Sequence, residues 1–287
     1  MKNTLSAESS QLWNSSIPGV ELFEARFTQH RFGKHFHEGY TIGLNECGQG
    51  RCLHRGQIHF HHPGSFNCIN PGEMHTGEVS SAQGWAFRNL YISVSAIQQI
   101  LRQLNLPGQP LPCFSNIIVN DAILRALFYR LFQALDDPVS QLEPQSLLLR
   151  FLFLLFTRDA HFSPQTLAST STAPKQKSKA VVIARDYLRV HCTKDISIDA
   201  LAALVDLNPF YFIRCFHQQV GVSPHSYKQH WQLLSAKQAL STEQSLSEIS
   251  LAYGFYDQSH FTRAFKRTFG VTPGRYRKVN FIQDRSR

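Results

Sequence analysis

The stretch GFYDQSHFTRAFKRTFGVTPGRY, residues 254–276, has a near copy upstream in YFIRCFHQQVGVSPHSY, residues 211–227. Aligning Tyr227 with Tyr276 sets an offset of 49 and gives seven identities in 17 positions: Phe212/Phe261, Arg214/Arg263, Phe216/Phe265, Gly221/Gly270, Val222/Val271, Pro224/Pro273 and Tyr227/Tyr276. The paired Phe residues are spaced i, i+4, which puts them on one face of a helix. Each GVxP that follows reads as a helix stop at Gly and a new start at Pro. The preceding segments align better at an offset of 48, Leu201 with Ile249 and Leu207 with Phe255, so the second turn carries one extra residue. A helix, turn, helix unit is therefore built twice. Asn208 is the expected N-cap in the first copy with Pro209 at N1; Gly254 falls in the second turn and Asp257 is its cap.

Most of these identities are scaffold, so function has to lie on the opposite, solvent-facing stripe. In the first unit that stripe holds Phe210, Ile213, Arg214 and His217; in the second it holds Gln258, Ser259, Thr262, Arg263 and Lys266. Gln, Ser, Thr and Arg reach base edges in a major groove, Arg bidentately to guanine and Gln to adenine. Lys266, Arg267, Arg275 and Arg277 suit phosphates better. Charge points the same way. Residues 1–162 carry 12 Lys/Arg and 12 Asp/Glu, whereas residues 179–287 carry 15 Lys/Arg against 8 Asp/Glu, a net +7. A basic C-terminal third fits a polyanion, because each cation set on a phosphate releases a counterion.

Residues 181–278 resemble the DNA-binding domain of the AraC/XylS family of bacterial transcription regulators. The residues that carry the resemblance are Ile249, Ala252, Gly254, Phe255, Asp257, Ser259, Phe261, Arg263, Phe265, Lys266, Phe269, Gly270, Thr272, Pro273, Tyr276 and Arg277. The resemblance implies two helix-turn-helix units joined by a long helix, here SPHSYKQHWQLLSAKQAL. Phe210, Ile213 and Arg214 would read one groove and Gln258, Ser259, Thr262 and Arg263 the next. Residues 224 to 240 as a helix span roughly 25 Å, and with their flanks can separate two recognition helices by the roughly 34 Å of a DNA turn. Two departures stand out. Asp206 replaces the usual Gly of the first turn, which Asp survives because it tolerates the left-handed conformation. Gln232 replaces the usual Arg of the long helix, beside Trp231, so the connection is expected to hold a backbone or acidic partner less firmly, and the first unit, with its apolar Phe210 and Ile213, to read sequence loosely.

Upstream, SPQTLASTSTAPKQKS, residues 163–178, lacks an apolar period and predicts a linker. The expected division is an effector-binding and dimerisation domain over residues 1–162, the linker over 163–178 and a DNA-binding domain over 179–287. From residue 17 to about 95 turn signals recur every 8 to 12 residues or so among β-formers, which predicts short antiparallel strands closed as a sandwich or barrel. Helical periods follow over Val94–Leu104, Ile123–Leu135 and Gln145–Thr157; in the second, Leu124, Leu127, Phe128, Leu131 and Leu135 make one stripe. These helices are placed to cover the barrel or to pair two protomers. The fold class expected is thus multidomain α and β, with an all-β cupin-like barrel and following helices, then an all-α domain.

The run KHFHEGYTIGLNECGQG with INPGEMH further on resembles the cupin-like sensor domain of the same family. Strand alternation puts His35 and His37 on one face, and His75 falls on a neighbouring strand. Inward polar and aromatic candidates for a small-molecule effector are His35, His37, Tyr40, His75, Trp85 and Arg88, with Arg88 suited to a carboxylate. No cofactor is expected; a metal, if present, would sit on His35, His37 and His75, since neutral imidazole suits iron, zinc, manganese or nickel. Glu38 and Glu46 are badly placed as a fourth ligand, so a cupin-type metal-dependent enzyme with a DNA anchor is the alternative to a ligand-controlled regulator. Six scattered cysteines without a CxxC pair argue against a zinc ribbon. The polar N-terminus has no apolar h-region and the longest apolar run, Leu147 to Phe156, is too short to span a bilayer, so a cytoplasmic protein without membrane contact is expected. Expected partners are double-stranded DNA, the effector, RNA polymerase and a second copy of the chain.

Overall fold

The computed structural model describes residues 8–104, 110–137, 142–162 and 175–281. Two compact units divide the chain, Met1–Thr166 and Leu167–Arg287. Of the predicted linker, residues 163–174 lie outside the described residues, and the last four already belong to a helix that starts at Lys175.

The first unit opens with nine strands: β1 (Ser9–Asn14), β2 (Val20–Phe27), β3 (Arg31–His35), β4 (Tyr40–Gly48), β5 (Gly50–His54), β6 (Gln57–His61), β7 (Phe66–Ile69), β8 (His75–Val79) and β9 (Trp85–Ile92). Helix α1 (Val94–Gln103), the short strands β10 (Pro112–Cys113) and β11 (Ile118–Val119), helices α2 (Ala122–Asp136) and α3 (Leu142–Asp159) and strand β12 (His161–Phe162) follow. A six-stranded antiparallel sheet runs β1-β2-β9-β4-β7-β11, a four-stranded one β3-β8-β5-β6, and β10 pairs with β12. The Gly- and Pro-rich turns anticipated from sequence account for this many short strands.

Helices α2 and α3 cover the outer face of the larger sheet. The predicted stripe Leu124, Leu127, Phe128, Leu131 and Leu135 is buried throughout, and Phe66 of β7 meets Phe128 and Phe151 with ring centroids 5.5 and 6.0 Å apart. Each such side chain, withdrawn from water, stabilises by about 1.5–3 kcal/mol. Asp121 caps α2 by accepting from the Ile123 and Leu124 amides at 2.7 and 3.0 Å.

The second unit is helical: α4 (Lys175–Val190), α5 (Ile198–Leu204), α6 (Pro209–Val220), α7 (Pro224–Ala239), α8 (Leu246–Ala252), α9 (Gln258–Phe269) and α10 (Pro273–Phe281). The repeat is visible as matched aromatic triads. Phe212, Phe216 and Tyr227 pack edge to face with centroids 5.7 and 5.6 Å apart; Phe261 meets Phe265 edge to face at 5.6 Å, and Phe265 meets Tyr276 at a tilt at 6.1 Å. Gly221 and Gly270 end α6 and α9 at φ of 85° and 75°, values that favour glycine. Asn208 and Asp257 cap α6 and α9 as expected, accepting from the Phe210 and His260 amides.

The two turns differ instructively. Asp206 sits at φ 53° and Gly254 at φ 78°, so the aspartate does take the left-handed place of a glycine. At Gly254 a Cβ would lie 2.6 Å from Nε2 of Gln232. Gln232 is itself buried, so α7 packs its amide under the second turn, and a Cβ there would have to displace it.

Candidate nucleic-acid interface and barrel cavity

Helices α6 and α9 present their predicted stripes outward. Phe210, Ile213, Arg214 and His217 are exposed on α6; Gln258, Ser259, Arg263 and Lys266 are exposed on α9, with Thr262 half-buried beside them. Phe210 is 85% exposed, an unusual position for a Phe unless a partner covers it. Tyr256, immediately before the α9 cap, is 88% exposed and was not anticipated; its place next to a cap, outside any apolar period, is the signal. Lys266, Arg267 and Arg275 are exposed and suited to phosphates. Arg277 is not. It is half-buried and donates from Nε to the Leu240 carbonyl at 3.2 Å, tying α10 to the end of α7.

In the first unit a cavity of ≈ 40 Å³ opens between the two sheets, room for about three waters where about 10–15 Å³ holds one. His35, His37, His75 and Trp85 line it as expected, while Tyr40 and Arg88 do not. The reason is strand parity. On β9 the residues Trp85, Phe87, Asn89 and Tyr91 face the cavity, so Arg88 points to the helical side. There its guanidinium pairs with Glu46 at 2.8 Å and Glu24 at 3.4 Å and lies over the Phe132 ring. Burial raises the Glu46 carboxyl above its ordinary range despite that arginine. Tyr40 likewise turns away, donating its hydroxyl to the Pro112 carbonyl at 2.6 Å among Phe114 and Phe156.

The cavity has two unlike walls. At one, the ring nitrogens of His35, His37 and His75 include a donor from each that lies within 4.8 Å of the others. His35 and His75 are buried, and their Nδ1 atoms meet the Gly33 and Glu73 carbonyl oxygens at 2.8 and 2.9 Å. Donation to a carbonyl puts the proton on Nδ1 and the lone pair on Nε2. Burial holds the His35 imidazole down at about 4 against the Gly33 hydrogen bond, which favours the proton. Glu73 is fixed in turn by His54 at 2.8 Å and by Arg55. Burial alone would raise its carboxyl, but the hydrogen bonds from these two outweigh it and hold it low.

On the larger sheet Asn67 of β7, Gly43 of β4 and Asn89 of β9 stand in one row. A Cβ at Gly43 would meet Asn89 Oδ1 at 1.9 Å and Asn67 Oδ1 at 2.7 Å, so glycine is what allows both amides into the cavity. Asn67 Oδ1, Asn89 Oδ1, Thr41 Oγ1 and His61 Nδ1 are all buried without a hydrogen-bond partner. Unsatisfied buried polar atoms are rare, and four around one cavity mark a place shaped for something other than packing. His61 stacks on Trp85 with centroids 5.8 Å apart, and Trp85 donates to Asn45 Oδ1 at 2.9 Å. The sequence reading missed Thr41, His61, Asn67, Asn89 and Tyr91.

Comparison with known proteins decides the family. The model described as AraC-like ligand binding domain matches residues 17–152 and that described as Helix-turn-helix domain matches residues 201–279. The chain belongs to the AraC/XylS family of transcription regulators. As a member of it, the chain is an AraC-type DNA-binding regulator with an N-terminal ligand-binding domain. It is 28% identical over 243 residues to the uncharacterized HTH-type transcriptional regulator YbfI of Bacillus subtilis, covering 84% of this chain and 85% of that one. The arabinose operon regulatory protein of Escherichia coli is 26% identical over 263 residues, 85% of this chain and 84% of that protein. Among solved structures, an apo ToxT variant from Vibrio cholerae superposes with a TM-score of 0.60 at 12% identity, covering 93% of this chain and 99% of its own, which is a likeness of fold. These relatives are regulators. Among the described residues no helix is long and apolar enough to cross a membrane.

Proposed function

We propose that this regulator grips DNA through α6 and α9 and that a small polar effector in the barrel cavity controls how that grip is presented. Phe210, Ile213, Arg214 and His217 would contact one major groove; Gln258, Ser259, Thr262, Arg263 and Lys266 the next, with the second unit carrying more of the sequence preference. The observation that carries this reading is the pair Arg214 and Arg263, an identity of the repeat that packing does not demand because both side chains are exposed. Residues 1–162 would form the effector domain, 163–178 a linker and 179–287 the DNA-binding domain. Binding of effector shifts an equilibrium between presentations by its differential affinity for them.

His35, His37, His75 and Trp85, with Asn67 and Asn89, would hold the effector. One solved ToxT structure carries an unsaturated fatty acid; the cavity of ≈ 40 Å³ here, with imidazoles and amides set among aromatic rings, favours a compact molecule that carries polar groups. Ile123, Leu142 and Phe153, exposed apolar residues of α2 and α3, support pairing of two protomers. Activation through RNA polymerase in the bacterial cytoplasm and on the nucleoid completes the reading, with a non-enzymatic barrel. Footprinting of the intact protein on genomic fragments tests it: protection of two adjacent major grooves per chain is expected. Protection that survives simultaneous Arg214→Ala and Arg263→Ala would sink it.

A further inference from the structure

We propose that His35, His37 and His75 bind one divalent transition-metal ion, so that the first ligand of the barrel cavity is a metal. This deepens the effector reading of the same cavity and rests on it only for its regulatory consequence.

Three imidazoles converge there from β3, the loop after it and β8, with one donor of each within 4.8 Å of the others. A tetrahedral ion with nitrogen ligands at 2.0–2.1 Å needs those nitrogens roughly 3.4 Å apart. Closing the difference takes about an ångström, and His37, half-buried after β3, is the one of the three rings carried outside a strand. The other two are already aimed. Their Nδ1 atoms are held by the Gly33 and Glu73 carbonyls, the outer hydrogen bond that metal-bound histidines use to fix tautomer and ring orientation. Glu73 is itself anchored by His54 and Arg55, which extends the support one layer further out.

The donor set selects the ion. Three neutral nitrogens without a carboxylate suit zinc, cobalt, nickel or ferrous iron, and not calcium or magnesium, which take oxygen. Glu38 is exposed and Glu46 is engaged by Arg88 on the far side of the sheet, so among the described residues no carboxylate joins the three histidines. A three-histidine site keeps coordination positions open. They face a cavity whose opposite wall carries the unpartnered oxygens of Thr41, Asn67 and Asn89, acceptors for the hydroxyl or amine hydrogens of whatever molecule the metal holds.

The test uses the full chain, stripped with a chelator and titrated with Zn²⁺ by calorimetry and with Co²⁺ by visible absorption. One ion per chain is expected, with a Co²⁺ spectrum of low-coordinate nitrogen ligation. His35→Gln and His75→Gln should each weaken Zn²⁺ binding at least about 100-fold, whereas His59→Gln in β6 and His62→Gln just after it should leave it unchanged. Metal-free melting temperatures verify that the variants fold. If a variant does not, X-ray absorption on Co²⁺-loaded wild type still counts its imidazole ligands. Sub-stoichiometric binding, fewer than three imidazoles, or loss in the His59 and His62 variants instead would overturn the site. DNA affinity measured alongside, with and without Zn²⁺, reads the regulatory claim separately: an unchanged affinity in a metal-binding protein defeats metal control of DNA binding while the site stands.

Discussion

Arg214 and Arg263 occupy the same place on α6 and α9, 49 positions apart in the chain, and both are exposed, whereas the Phe, Val, Pro and Tyr identities of the repeat are buried in both copies. Packing explains the buried pairs. It does not explain why a long, charged side chain recurs at one solvent-facing position, and a shared polyanion does. The surroundings differ, since Arg214 stands beside exposed Phe210 and Ile213 and Arg263 beside Gln258 and Ser259. Hydrogen-bonding neighbours fix a base-edge contact better than apolar ones. Arg263→Ala is therefore expected to weaken operator binding by about 1–3 kcal/mol, roughly 5- to 150-fold, and to relax preference at one base pair. Arg214→Ala should cost less and lower affinity more evenly across sequences. Gel shifts on an operator and its single-base variants measure both; equal losses with equal loss of preference would refute the division.

Gly254 is held by two constraints at once, a φ of 78° and the amide of Gln232 beneath it. Asp206 meets only the first and is tolerated at the matching place in the other unit. Gly254→Ala should destabilise the C-terminal unit by about 1–3 kcal/mol from backbone strain and the clash. Shortening Gln232 to Ala in the same chain removes the clash and not the strain. Thermal unfolding of the two singles and the double should thus show a coupling that rescues part, not all, of the loss; strict additivity would mean the contact is immaterial.

The C-terminal unit was legible in the sequence almost residue by residue, because its signals are local: caps at Asn208 and Asp257, stops at Gly221 and Gly270, and Phe residues at helical spacing. The cavity was half legible. Strand parity alone forbids Trp85 and Arg88 from sharing a face of an unbroken β9, and it places Asn89 and Tyr91 with Trp85, so the arginine was chosen for its chemistry against its register. Asn67 could not have been found that way. It enters the cavity only because it lies in register with Gly43 and Asn89 across three strands, a long-range pairing that no local pattern encodes. Tyr40 was lost to the loop between β3 and β4, where counting by twos from His35 and His37 would have favoured Thr41.

His61 makes the barrel sensitive to acid. Burial first, and then the neighbouring His59 and His62 charges, hold its imidazole at about 4, below the ordinary 6.5. Between those values the unfolded chain carries a proton that the folded one does not. Its contribution to stability is therefore complete above pH ~6.5 and is lost as the pH falls toward ~4, at about 1.4 kcal/mol per pH unit. Urea unfolding of metal-free protein at pH 7 and pH 5 should show the drop, with Trp85, stacked on His61, as the fluorescent reporter. His61→Phe, which has no proton to gain, should reduce the slope by the share His61 carries, with His35, also held at about 4 by burial, supplying the rest; an unaltered slope would assign the acid sensitivity elsewhere.

Asn67 separates stability from response. Its Oδ1 is buried without a partner, and a buried polar atom left unpaired costs about 1–3 kcal/mol, whereas an apolar side chain of similar shape does not incur that cost. Packing alone would have selected leucine. Asn67→Leu is therefore expected to leave the ligand-free protein as stable as wild type or to raise its melting temperature by a few degrees, with DNA binding through α6 and α9 intact. The same variant should lose the ligand-dependent change in DNA affinity, because the hydrogen bond that the oxygen reserves can no longer be made. Thermal shift and gel shift with and without effector read the two effects apart. A clear loss of ligand-free stability would show that Asn67 serves the fold, and would remove the argument that this wall of the cavity is kept open for a ligand.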